Sequence, residues 1–440
     1  MSKKAVLMVF AVILVAFGAA SSALAIDGLT PAFPAYVNPG GLGDSLIYGY
    51  YNVRGNVDLF NVVNTSAIDG AKVRVVFRAG KNSEEVLDFS VCLSKGDVWT
   101  AFLTDSGSTA EICPVFDTDT VTAPQIPASC KTFQIPSGSS LTADDLREGY
   151  FEVLGLTSIP GYDKNSTTAN ANCINVPGNC IKTEVDCANW QSTTATQGTP
   201  APVFDVLMGN NTIINLSTLA TYSYNATAIA YPTVAAPVID PGPGQEVSLV
   251  DVDVIGCGVE LSLAKTDLIS PFDIISGLGA GTEVIVTFPT RRACHASATI
   301  PGGTDLGLGN GSGNLFTCKS FTDNTTTGAN KKCAVYATPV SVVARDDKEN
   351  SLNILNFSPA GQSTLPNEVN VLNIGGSKIW TSTLEVGVSV GSFQLGWVDI
   401  DLTNSTTAPD GLPALGYTTQ ALVGGSVSYM VPTAYKSLIP

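Results

Sequence analysis

The single histidine of the chain, His295, follows Cys294 and lies close to Arg291 and Arg292. A thiol beside an imidazole is the smallest set that supports cysteine nucleophilic chemistry. Adjacent residues on one strand point to opposite faces, and Cys294 has nine other cysteines to pair with, so the doublet reads as structural. A serine triad needs the same histidine, and no Gly-x-Ser-x-Gly elbow occurs. Gly40-Gly41-Leu42-Gly43 lacks the strand-then-helix setting of a nucleotide loop. Paired carboxylates stand two residues apart at Asp117 and Asp119, Asp251 and Asp253, and Asp399 and Asp401, which places both members of a pair on one face of a strand. Calcium is the cation such pairs could take. No complete oxygen-ligand loop surrounds them, so exposed strand acids are the plainer expectation. No catalytic, cofactor-binding or metal-ligating set is expected.

Cysteine is the richer resource, with Cys92, Cys113, Cys130, Cys173, Cys180, Cys187, Cys257, Cys294, Cys318 and Cys333. In an exported chain an even count reads as disulfides. No Cys-x-x-Cys occurs and one histidine leaves zinc or haem without ligands. Cys113 and Cys130 flank one Pro- and Thr-rich loop and are the pair most directly expected. Cys173, Cys180 and Cys187 recur at equal intervals in an Asn-rich loop. Cys92 lies mid-strand, on the face opposite Leu87, Phe89, Val91 and Leu93, so it can be bridged only if an insertion folds over that face.

The elements that must position these residues are strands. Between Ser45 and Leu103, five apolar runs rich in Val, Tyr, Phe and Leu are separated by Gly-, Asn- and Asp-bearing turns. Val73, Val75 and Phe77 alternate with Lys72, Arg74 and Val76, which predicts an antiparallel meander with one buried face, covered by a second sheet drawn from later strands. Thr104 to Ser140 reads as a long connection. A short helix is expected over Ala143 to Glu148, capped by Thr142 and feeding the strand Tyr150 to Leu154. Residues 161–199 form a Cys-rich insertion. Strands Val203 to Met208 and Thr212 to Leu216 are expected as a hairpin through Gly209-Asn210-Asn211. Prolines 237, 241 and 243 mark a boundary, a helix is favoured over Val259 to Ile269, and a series of strands follows to the end. The expected fold class is all-β: antiparallel, immunoglobulin-like β-sandwich domains over residues 26–240 and 241–440, with disulfide-stapled loop insertions and a few short helices.

Lys3 and Lys4 precede an apolar run that ends in Ala23-Leu24-Ala25, the pattern of a signal peptide over residues 1–25 cleaved after Ala25. The mature chain then carries 20 basic against 38 acidic residues, a net charge of −18. Nucleic acid and anionic membrane are poor partners for it, and membrane insertion is not expected. With 14% charged residues, the surface is wetted mainly by hydroxyls and amides, as suits coats, sheaths and adhesins.

The phrases YGYYNVRG, LFNVVNTS, KVRVVFRAGKNSEEVLDFSVCLSKGDVWTAFLT, REGYFEVLG, LAKTDLI, TEVIVTFPTRR, NEVNVLN and GWVDIDL resemble a family of secreted, β-rich surface proteins of Gram-negative, largely proteobacterial, bacteria. The resemblance implies export and a β-rich fold and carries no catalytic residue with it. The expected function is that of an exported, non-enzymatic structural or assembly protein of the cell surface, with self-association or other surface proteins as partners. A glycan- or surface-binding adhesin is the alternative, with Tyr48, Tyr50, Tyr51 or Trp99 as candidate aromatics, although core strand positions are the plainer expectation for them, and a secreted hydrolase comes third.

Overall fold

The computed structural model describes residues 35–114, 121–122, 130–159, 187, 205–231, 259, 262–291, 338–354, 364–403, 411–422 and 427–437. Outside the described residues lie the expected signal segment, the expected boundary at 240/241, Asp117, Asp119, Asp251, Asp253, Cys173, Cys180, Cys257, Cys294, His295, Cys318 and Cys333.

The first sandwich opens with β1 (Tyr36–Val37), β2 (Ser45–Asn52), β3 (Asn56–Asn64), β4 (Gly70–Ala79), β5 (Glu85–Leu93) and β6 (Val98–Asp105). It continues with β7 (Ala110–Pro114), β8 (Val121–Thr122), β9 (Lys131–Thr132), β10 (Glu148–Ile159), β11 (Leu207–Asn215), β12 (Thr221–Asn225) and β13 (Thr227–Ala230). A seven-stranded sheet, β1-β13-β2-β10-β4-β5-β8, faces a six-stranded sheet, β12-β11-β3-β6-β7-β9.

The five expected runs are all strands, β2 to β6, but they are not a meander. Only β4 and β5 pair as chain neighbours; β2 pairs with β10 and β13, while β3 and β6 pair in the opposite sheet. The covering sheet therefore comes partly from the same stretch, because the turns at Gly55 and Gly96 cross between sheets, each with positive φ. The core between the sheets is aromatic. Tyr48 stacks on Phe151 at 4.2 Å, and Phe60, Phe77, Phe89 and Trp99 pack around them at 4.7–6.4 Å. Aromatic pairs at such separations add to the burial of the rings themselves.

Two further expectations change here. β4 is buried along its whole length, so the seven-stranded sheet does not have a single buried face. Arg74, which alternation placed on the open face, is instead paired with Asp88, and Arg78 at the end of β4 pairs with Glu152 at 2.8 Å. A buried ion needs such a partner to offset its lost hydration. β11 runs unbroken through Gly209-Asn210-Asn211, so the expected hairpin is one strand. Its glycine answers to crowding: a Cβ at Gly209 would lie 1.9 Å from the Tyr48 hydroxyl and 2.3 Å from the Asn61 carbonyl. The expected helix before β10 is a 3-10 turn, Asp144–Arg147. Thr142 and Asp145 cap it reciprocally: the Asp145 N–H donates to Thr142 Oγ1 (3.3 Å) and the Thr142 N–H donates to the Asp145 carboxylate (2.7 Å).

The second sandwich begins with β14 (Ala264–Lys265), β15 (Asp267–Asp273), β16 (Gly281–Thr287), β17 (Thr338–Pro339), β18 (Ser341–Asp346), β19 (Ser351–Ile354) and β20 (Thr364–Leu365). The rest are β21 (Val369–Ile374), β22 (Glu385–Val388), β23 (Leu395–Asp401), β24 (Leu412–Pro413), β25 (Leu415–Leu422), β26 (Val427–Pro432) and β27 (Ala434–Lys436). An outer sheet, β19-β18-β23-β15-β27, faces an inner sheet, β22-β21-β16-β25-β26. Their shared core includes Leu268, Phe272, Val284, Val286, Val398 and Ile400.

The helix expected over Val259 to Ile269 is overturned in its second half. Val259, Ser262 and Leu263 are helical, but Asp267 onward is strand, with Leu268, Ser270 and Phe272 turned inward. Strands on both sides outweigh a weak helical period, since β15 pairs with β23 and β27. Pro271 is tolerated because β27 pairs only as far as Ile269, so its missing N–H falls where no strand needs it.

The inner sheet is covered on both sides. Val284, Val286, Leu372 and Ile374 face the outer sheet, whereas Ile285, Val369, Val371 and Tyr417 join the core of the first sandwich.

Candidate functional site

A buried polar constellation lies where the two sandwiches meet. It exists because β21 and β22 run parallel. Parallel neighbours cannot be joined by a tight hairpin, so the chain from Gly375 to Leu384 leaves the inner sheet and returns. Gly375 and Gly376, at φ of 60° and 84°, make the exit turn. The strap carries Trp380 into the first sandwich, where the indole meets Tyr222 at 4.5 Å and Tyr50 at 5.7 Å. Its Nε1 donates to Thr419 Oγ1 (3.3 Å).

Two buried carboxyls hold the strap from opposite sides. Glu148, the first residue of β10, sits opposite Asn52 at the end of β2. Its Oε1 accepts from the Tyr50 hydroxyl (2.8 Å) and from Ser382 Oγ (2.5 Å), and its Oε2 accepts from the Thr383 N–H (3.2 Å). Arg54 Nε stands 3.8 Å away, its guanidinium anchored on Asp144 at 2.6 Å and reaching Thr383 Oγ1 at 3.3 Å. From β16, Glu283 Oε2 accepts from the Trp380 N–H (3.0 Å). Asn52 Nδ2 donates to the Thr381 carbonyl (3.1 Å). A third acid, Asp58, accepts from Asn211 Nδ2 (3.0 Å) and the Asn52 N–H (3.3 Å) behind the seam. Close approach elsewhere along the seam needs Gly49, where a Cβ would lie 2.6 Å from the Tyr417 ring. There Thr287 Oγ1 donates to the Gly49 carbonyl (2.6 Å).

Burial pushes these acids up: Glu148 to about 7, against hydrogen bonds from Ser382 and Tyr50 and the charge of Arg54, and Glu283 to about 8, against the Trp380 and Ile379 amides. Asp58 is raised to about 8 by the same loss of hydration, against its bonds from Asn211 and Asn52. Raised carboxyls occur at acid–base sites and in structural networks alike. Both oxygens of Glu148 are engaged by protein donors. The arrangement therefore acts as a joint, in which the acids supply acceptors for strap groups that would otherwise be buried unpaired.

A consequence is measurable. An acid with a raised native pKa keeps the native state protonated where the unfolded chain is already ionised, so its stabilising effect is complete below the unfolded pKa and is lost as pH rises through the native one. For Glu148, from 4.5 to about 7, that amounts to about 3 kcal/mol. The melting temperature is expected to fall between pH 5 and pH 8, and Glu148→Gln to flatten part of that fall. Calorimetry showing the same pH slope in both proteins would contradict this.

Of the cysteines, the structure brings together Cys113 with Cys130, as expected, and Cys92 with Cys187. The second pair meets the stated condition, since Cys187 belongs to the insertion. Among the described residues the one group with metal-ligand proximity is Glu111, Cys113 and Cys130, whose sulfurs are spent on each other. Asp399 lies 3.4 Å from Lys436, which also holds Asp267 at 3.2 Å, and Asp401 Oδ1 accepts from the Thr403 N–H (2.8 Å). The acids of this pair are thus engaged by protein groups. Tyr48, Tyr50, Tyr51 and Trp99 are fully buried core residues and not a binding platform. Among the described residues no helix is long and apolar enough to cross a membrane.

Sequence reasoning passed over the seam. The signals it left are a lone acid, Glu283, inside an apolar strand run, and a tryptophan isolated in the Ser- and Thr-rich stretch Ser377 to Thr383. No protein-family model, curated protein or solved structure matches the chain.

Proposed function

We propose that the protein is an exported structural subunit of the cell surface, a component of a coat, sheath or filament that works without catalysis. The observation that carries this reading is the strap seam. Trp380, Glu148 and Glu283 tie two sandwiches into one body, which is what a subunit that transmits load between neighbours requires. Staples at Cys92–Cys187 and Cys113–Cys130, together with low charge density, support it. The adhesin alternative has lost its nominated aromatics to the core. Immunogold electron microscopy of the source cells is the test: continuous labelling of a lattice or fibre is expected, whereas label confined to the cytoplasm would overturn the proposal.

A further inference from the structure

β26 closes one edge of the inner sheet and β27 one edge of the outer sheet. Both come from one stretch of chain that changes sheet at Thr433, whose N–H donates to the Gly416 carbonyl (2.9 Å). Along β26 the two faces differ. Ser428 and Met430 turn toward β12: Ser428 Oγ accepts from the Thr221 N–H (3.0 Å), and Met430 is buried in the core. Val427, Tyr429 and Val431 turn the other way and are 54%, 37% and 43% exposed. Tyr435 on β27 is 58% exposed, with Lys265 Nζ 4.1 Å over its ring, so the uncharged stripe ends at β26. An edge strand with an exposed apolar stripe is a template for another strand.

Charge and symmetry select the occupant. The chain carries a net charge of −16, so two copies repel over most of their surfaces, yet no acid or base occurs from Val427 to Tyr435. The stripe Val-Tyr-Val also reads the same from either end, as an isologous contact demands. We propose that β26 pairs antiparallel with β26 of a second copy about a two-fold axis through Tyr429, setting Val427 of each chain against Val431 of the other. Two apolar triads then form one continuous row. Pro432 ends the pairing, since it has no N–H to offer a further rung.

This inference rests on the surface-subunit reading and supplies its partner, a second copy of the chain. Sedimentation equilibrium of the purified full chain is expected to show a monomer–dimer equilibrium. Tyr429→Lys sets two like charges across the axis and should weaken the dimer at least about tenfold. Val427→Lys and Val431→Glu should each weaken it alone, and mixing the two variants should restore a heterodimer, because the register sets position 427 against 431. All three side chains are partly exposed, so the melting temperatures of the variants should stay near that of the parent. A strictly monomeric parent, a dimer indifferent to Tyr429→Lys, or a mixture that fails to recover would each overturn the proposal. A continuous surface lattice observed alongside any of these would leave the structural role standing and remove only this edge.

Discussion

Replacing Trp380 with alanine is expected to destabilise the protein by about 3–5 kcal/mol, the cost typical of removing a large buried aromatic. The indole is 2% exposed, is wedged between Tyr50 and Tyr222, and bonds Thr419. Its loss opens a cavity at the seam and frees the strap that Glu148 and Glu283 hold. The second sandwich keeps its own core of Leu268, Phe272, Val284 and Val398, so its melting should separate from that of the first. Calorimetry of Trp380→Ala should show a lowered transition that broadens or splits, with Trp380→Phe intermediate. A change below about 1 kcal/mol with a single sharp transition would mean that the seam does not hold the sandwiches together.

Removing the Cys92–Cys187 bridge by Cys92→Ser with Cys187→Ser is expected to cost more than removing Cys113–Cys130. The bridges span 95 and 17 residues. Restricting the unfolded chain contributes about 4.7 kcal/mol for a loop near 100 residues and about 3 kcal/mol for one near 15. The longer bridge also ties the insertion to the seven-stranded sheet at β5, next to Lys72 of the fully buried β4. Urea denaturation of the two double variants under non-reducing conditions gives the comparison. A larger loss from the shorter bridge would contradict the ranking.

The strand content was legible because a two-residue period and a turn glycine are properties of neighbours in the chain. Ser45 to Leu103 could be divided into its five strands this way, and Cys113 with Cys130 could be paired across one loop. The same locality misled where a signal had two causes. Gly209-Asn210-Asn211 has turn composition, but the glycine makes room for Tyr48 and Asn211 reaches Asp58, so the strand continues. Arg74 alternates as a solvent-facing residue does. It is buried, as is Arg78 at the end of β4, because other parts of the chain bring them cover, with Asp88 and Glu152 as partners.

Composition, period and cysteine parity thus determined an all-β chain with stapled loops, since period and turn signals lie within a strand or a turn of one another and composition and parity need only a count. Which strands share a sheet, which face of the inner sheet serves which core, and where a buried acid finds its donors were decided by tertiary structure. Glu148 and Ser382 are 234 residues apart. Nothing in the neighbourhood of either encodes the other, and only the folding of one sandwich onto the strap of the next removes both from water and makes their hydrogen bond obligatory.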